Sequence, residues 1–249
     1  MSERGSDILA FTPTYHDRVA IGGTIEGMRA NAGCWFDWLV CAGAPSEALR
    51  ASLEAQLKRE DHLGIQYLNL WPENRGQHHA TAFALQLARE KGYTWLLRLD
   101  DDVQPKTKRW LSKMITRLEE LKALTGDQFH RLVAGPRVVG LKNPIAADGV
   151  LDKGQYFPVE VVPLLGGVCR LHPLALLEGY EPDLYAPLGR RDPERMATYL
   201  ETKTMGGMQI RFPDIRVVHR TEELETGETP EASRIRKMSH YWPWLGGGM

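Results

Sequence analysis

The sequence predicts an α/β fold with a mostly parallel central sheet flanked by helices. Three observations lead there: short apolar runs alternate with stretches of helical period, glycine or proline punctuates most boundaries, and one apolar run ends in Asp100-Asp101-Asp102. Taken in order, Ile8 to Thr12 is a strand that Pro13 stops, and Val19 to Ala30 is a helix that Gly33 ends. Trp35 to Cys41 is a second strand, closed by Ala42-Gly43-Ala44-Pro45. Ser46 is placed to cap a helix running to about Arg59, and Ile65 to Leu70 is a third strand. Ala80, Phe83, Ala84, Leu87 and Ala88 make the apolar face of the next helix, which Gly92 closes. Trp95 and Leu96 to Leu99 lead into the three acids as a buried strand. A helix from about Lys106 follows, with Leu111, Met114, Leu118 and Leu121 as its stripe.

The second half is less regular. Leu132 to Val139 and Val159 to Leu165 read as strands, separated by a loop from Gly140 to Gly154. Pro193 to Thr204 is a helix, and Gln209 to Phe212 and Arg216 to Val218 are short strands. No break has the composition of a linker, so residues 1–220 read as one domain. From Thr221 the chain turns polar and acidic, then basic at Arg234, Arg236 and Lys237, and it ends with Tyr241, Trp242 and Trp244. Residues 221–249 are expected to pack on the domain or to form a lid over its site.

Composition narrows the classes of function. At 249 residues the chain can bury a sizeable core. Lys+Arg 31 against Asp+Glu 32 leaves a net charge of -1, so no global basic field gathers nucleic acid, although Lys106, Lys108, Arg109 and Lys113 make a local basic run. Cys34, Cys41 and Cys169 are too few and too scattered for a disulfide framework or a zinc knuckle. The polar start, Met1 to Asp7, lacks the apolar core of a signal peptide, and no apolar run approaches the roughly 20 residues of a membrane helix. A cytoplasmic protein without a membrane span is the expectation. There is no dinucleotide fingerprint, Walker A loop, metalloprotease helix motif or nucleophile elbow.

Asp100, Asp101 and Asp102 repel one another unless positive charge sits among them. A hard divalent cation prefers such oxygens and leaves coordination positions open for phosphate. In a parallel sheet, ligands bind beyond the carboxyl ends of the strands, where both Pro13 to Tyr15 and the acids would lie. A solvated turn whose aspartate caps the following helix is the plainer reading of the acids alone.

Several segments, in order, resemble family 2 of the GT-A glycosyltransferases over about residues 7–220. They are Thr12-Pro13-Thr14-Tyr15 after the first strand, Asn74-Arg75-Gly76 before a helix, and Leu99-Asp100-Asp101-Asp102. Gly166-Gly167-Val168-Cys169-Arg170 follows, then Asp192 before a helix, and a strand ending at His219. The resemblance implies the Rossmann-like GT-A fold and a metal-dependent transfer of a hexosyl or pentosyl group from a nucleotide-diphosphate sugar to a hydroxyl. Mn²⁺, or Mg²⁺, is the implied ion, in an Asp-x-Asp motif. Asp102 is then a direct metal ligand, and Asp100 contacts the ribose or ligates through water, with Asp101 beside it on the donor. His219 completes the metal site, an imidazole suiting Mn²⁺ better than Mg²⁺. Pro13, Thr14 and Tyr15 line the nucleotide, Tyr15 bordering the base, and Arg75 reaches the diphosphate or the base.

Asp192 is implied as the general base that takes the acceptor's proton, with Glu194 as second choice. It is also a helix N-cap, followed by Pro193 at the first helical position. A base opposite the leaving group means inversion at the anomeric carbon. The family's acidic residue after the second strand is replaced here by Ala42-Gly43-Ala44, which sets the usual recognition of a uridine base aside. His240 is a rival metal ligand, His78-His79 are expected to cap or pack, and Arg190-Arg191 either steady a phosphate or face water. The acceptor stays open: a glycan, a lipid-linked sugar, a protein, a small molecule or a modified nucleic-acid base, the last requiring a basic stripe beside the donor site. A nucleotidyltransferase of similar fold and a non-catalytic nucleotide-sugar-binding protein are the competing readings. Thr12 to Arg18 lacks the Gly- and Arg/Lys-rich phosphate loop of the first.

Overall fold

The computed structural model describes residues 7–15, 21–61, 63–126, 131–139, 149–151, 159–162, 165, 167–177, 180 and 208–219. The chain divides into two units, Met1–His219 and Arg220–Met249, and every described residue lies in the first. The expected helix at Pro193 to Thr204 and the tail from Thr221 lie outside the described residues.

The first half runs β1 (Ile8–Tyr15), α1 (Ile21–Ala30), β2 (Asp37–Gly43), α2 (Glu47–Leu57), β3 (Tyr67–Trp71), α3 (Gly76–Lys91) and β4 (Trp95–Leu99). β5 (Val103–Pro105), α4 (Trp110–Thr125), β6 (Leu132–Val139), β7 (Gly149–Leu151), β8 (Val159–Val162), β9 (Cys169–Pro173) and β10 (Met208–His219) follow. These ten strands form one sheet in the order β3-β2-β1-β4-β9-β6-β10-β8-β7, with β5 paired to β10. Strands β3, β2, β1 and β4 are all parallel. Beyond them β9 runs antiparallel to β4 and β6, and β10 runs parallel to β6.

Strand alternation explains why both faces of the parallel half are apolar. Ala10, Trp38, Val40 and Leu97 face one side, where they pack with Ile21 and Ile25 of α1, Leu49 and Leu53 of α2, and Trp110 and Met114 of α4. Leu9, Phe11, Leu39, Cys41 and Leu96 face the other, against Ala80, Ala84 and Ala88 of α3. The small alanines let α3 lie close to the sheet. Each fully buried Leu or Phe contributes about 1.5–3 kcal/mol of transfer free energy.

Several boundaries differ from expectation for identifiable reasons. β1 does not stop at Pro13 but continues to Tyr15. Its pairing with β4 ends at Phe11, so beyond it β1 has β2 on one side only, where a residue without an N–H is tolerated. Ser46 caps α2 as expected, its hydroxyl accepting from Leu49 N at 3.2 Å. α3 buries Thr81 and Leu85, while Phe83 is 37% exposed and packs edge-on to Trp71. α4 begins at Trp110, not Lys106, because β5 takes up Val103–Pro105. The helix start has Arg109 at its cap and no side-chain capping bond, so no acid of the 100–102 run caps it. The two short strands expected at 209–212 and 216–218 are one strand, β10, with a register shift between Phe212 and Arg216.

Candidate metal centre

The acidic turn sits at the carboxyl end of β4, and each of its three carboxylates is held differently. Arg98 and Asp100 are two residues apart, and alternation turns Arg98 away from Leu97 and Leu99. Its guanidinium is buried and donates to Asp100 Oδ1 from Nε at 3.3 Å and from Nη2 at 3.0 Å. Nη2 also donates to Gln77 Oε1 at 3.0 Å, tying the first turn of α3 to the acidic turn. The Asp100 N–H donates to Val168 O at 2.9 Å.

Asp101 turns inward. Its Oδ2 accepts from Thr14 Oγ1 at 2.7 Å, and its carbonyl accepts from Thr24 Oγ1 at 2.8 Å. The middle acid therefore ties the turn to β1 and α1, and its carboxylate lies outside the group that gathers around Asp102.

His219 reaches Asp102 through strand pairing. β5 leaves the acidic turn and runs antiparallel to the end of β10, with Val103 opposite His219. This sets His219 Nε2 3.3 Å from Asp102 Oδ1. Ligand atoms of Asp100, Asp102 and His219 all lie within 4.8 Å of one another, each side chain half-buried. Two carboxylate oxygens and an imidazole nitrogen are a donor set that suits Mn²⁺ and tolerates Mg²⁺. The residues fit a divalent ion.

The acids are also balanced from beneath. Arg98 faces Arg170 across the β4–β9 ladder, and Leu96 faces His172. Arg98, Arg170 and His172 are all fully buried. Burial, with the charges of Arg170 and Arg98, holds His172 well below its usual range, so the imidazole is neutral. Burial likewise pushes the Cys41 and Cys169 thiols upward and Cys34 up to about 11, leaving no reactive thiolate among them.

Among the residues expected at the site, Asp100, Asp102 and His219 are brought together. Pro13, Thr14 and Tyr15 lie at the carboxyl end of β1, with Tyr15 42% exposed and Thr14 bonded to Asp101. Arg75 stands exposed before α3 with Nε 3.4 Å from Glu73. His78 and His79 pack against each other, ring centroids 4.5 Å apart, in the first turn of α3. Asp192, Glu194, Arg190, Arg191 and His240 lie outside the described residues. Arg98, Gln77 and Thr24 were not foreseen. Arg98 carried a signal: a lone cation inside an apolar strand, two residues before Asp100 and so on the same face.

The amino-acid sequence matches the profile of glycosyl transferase family 2 over residues 10–138, more than half of the chain. No curated protein matches it in sequence. Among solved structures it is similar to the mannosyltransferase PcManGT from Pyrobaculum calidifontis in complex with GDP-Man and Mn²⁺, at TM-score 0.62 and 16% identity. That likeness covers 99% of this chain and 66% of the mannosyltransferase. It is also similar to S. aureus TarS, at TM-score 0.52 and 13% identity, over 97% of this chain and 40% of TarS. The chain thus spans less than two thirds of either neighbour's length. The profile match, on a sheet of the same architecture as these neighbours, assigns the chain to glycosyl transferase family 2, with the GT-A fold.

Proposed function

We propose that this chain is a metal-dependent, inverting glycosyltransferase that uses a nucleotide-diphosphate sugar. The observation that carries the reading is the convergence of Asp100, Asp102 and His219 within 4.8 Å at the carboxyl end of β4, in a chain of this family. A neighbour of the same fold holds GDP-Man and Mn²⁺, which supports the same ligand class here.

Asp102 and His219 would hold the ion directly. Asp100, with Oδ1 engaged by Arg98, has its other oxygen for the ion or the ribose. The ion's chemistry would be to offset the negative charge that grows on the departing diphosphate. Tyr15 would border the base and Arg75 the diphosphate. In the transfer, an acceptor oxygen bonds to the anomeric carbon as the bond from that carbon to the phosphate oxygen breaks. The electron pair leaves with the nucleoside diphosphate. Asp192 takes the hydroxyl proton, and attack from the face opposite the leaving group inverts the carbon.

Thermal-shift and donor-hydrolysis measurements over a set of nucleotide sugars, with and without Mn²⁺, test this on wild type and Asp102→Ala. The expected outcome is stabilisation by one nucleotide sugar, dependent on Mn²⁺, with turnover at least 100-fold lower in Asp102→Ala, on the order of the loss of a key electrostatic group. Equal behaviour of the two proteins at saturating nucleotide would refute the assignment.

A further inference from the structure

The pair between Arg98 and Asp100 departs from the usual fork. Nε–H and one Nη2–H share an edge of the guanidinium, and against a carboxylate that edge commonly places each donor on its own oxygen. Here both donors converge on Oδ1 of Asp100, at 3.3 Å from Nε and 3.0 Å from Nη2. Gln77 engages Nη2 as well, with its Oε1 at 3.0 Å. Nη2 carries two hydrogens, so it can serve Asp100 and Gln77 together. Tilting the guanidinium to bring Nη2 onto Oδ2 would then give up a hydrogen bond to a buried charged group.

The surroundings hold this geometry. Arg170 stands directly across the β4–β9 ladder, a second buried cation on the same face, and its repulsion favours keeping Arg98 between Asp100 and Gln77. Gln77 is fixed by its own backbone. Asn74 Oδ1 accepts from Gly76 N at 3.0 Å and closes the turn before α3. Gly76 takes a φ of +80°, which glycine adopts without strain, and a Cβ there would meet His78 Cε1 at 3.0 Å. On the helix side, the Gln77 carbonyl accepts from Thr81 Oγ1 at 3.0 Å.

Satisfying a buried guanidinium does not by itself call for Gln77, since a fork would place Nε and Nη2 on Asp100 alone. What the arrangement achieves is to leave Oδ2 of Asp100 out of the ion pair. That oxygen belongs to a side chain whose ligand atom lies within 4.8 Å of those of Asp102 and His219.

We infer that Gln77 is a positioning residue for the metal centre: by holding Nη2 it keeps Arg98 on Oδ1 and so reserves Oδ2 of Asp100 for a divalent cation. The inference rests on the reading of Asp100, Asp102 and His219 as that centre. It adds that the first turn of α3, which contributes no ligand atom to this group, sets the affinity for the ion.

Calorimetric titration of the full chain with Mn²⁺ alone tests it on wild type, Gln77→Met, Gln77→Ala and Gln77→Glu. Methionine fills the space without an amide oxygen, alanine removes the side chain, and glutamate restores an acceptor oxygen at the same reach. Gln77→Met and Gln77→Ala should each weaken Mn²⁺ binding about 10-fold, the size of effect expected of a residue that orients a metal ligand through another. Gln77→Glu should bind Mn²⁺ like wild type. Thermal melts followed by circular dichroism separate this from a structural role. Lower melting temperatures in Gln77→Met and Gln77→Ala with unchanged Mn²⁺ affinity would overturn the inference and leave the metal centre standing. Gln77→Glu binding as weakly as Gln77→Ala would overturn it too. A wild-type protein that takes up no Mn²⁺ would overturn the metal reading itself, and the inference with it.

Discussion

From β3 through β4 every neighbour is parallel and both faces are apolar, whereas beyond β4 the pairing is mixed, antiparallel at β9 and parallel between β6 and β10, and the strands carry buried polar and charged groups. Arg170 and His172 are buried on β9, and Gln209 on β10. The parallel half is a scaffold that repeats one packing rule. The mixed half interrupts that rule to bring groups to one end of the sheet. The candidate metal centre lies on the seam, with Asp100 and Asp102 from one side and His219 from the other.

The largest effects test whether the two halves fold as one. Phe11 and Phe212 are fully buried, one in each half. Replacing either by alanine should cost about 3–5 kcal/mol, with a single shared transition in urea. Two separate transitions in Phe212→Ala would mean that the parallel half stands alone. Next comes the seam itself. Arg98→Met strips Asp100 of its buried partner and should cost about 3 kcal/mol, with weaker Mn²⁺ binding in a calorimetric titration. A stable variant that binds Mn²⁺ like wild type would show that Arg98 does not position Asp100.

The smallest effect lies at the rim of the mixed half. Hydrogen bonds from Arg117 hold the Asp214 carboxyl below its ordinary range. A depressed carboxylate contributes stability that is present above its unfolded pKa and is lost as pH falls through the folded one. Asp214→Asn should therefore be about 0.5 kcal/mol less stable at pH 7, a small value because Asp214 is largely exposed. The difference should shrink steadily below about pH 4. A gap that holds constant with pH would assign the effect to packing.

The parallel half was legible because its signals are local. Ser46 caps, Gly33 and Gly92 adopt the left-handed backbone that ends a helix, and apolar runs mark strands buried on both faces. At the site, the strand-end positions of Asp100, Asp102 and His219 were legible, and the family resemblance supplied the expectation that they gather. β5 was not, since a three-residue strand exists only through its partner β10. β9 was hidden for a related reason: Arg170 and His172 break its apolar alternation, and their burial depends on what lies across the ladder. The inward turn of Asp101 likewise needed Thr14 and Thr24, distant in sequence, to come alongside.

The register shift in β10 has a consequence for how this chain tolerates change. Phe212 pairs with Pro136 and Arg216 with Arg137, so three residues on β10 are passed over in a single step of β6. Those three residues bulge out of the ladder, because the pairs on either side of them are consecutive on β6. Their number can therefore change without moving the register that sets Val103 opposite His219. A homologue of different length in this short stretch can keep its imidazole beside the acidic turn, and what it gives up is the anchor that Asp214 makes with Thr107 and Arg117.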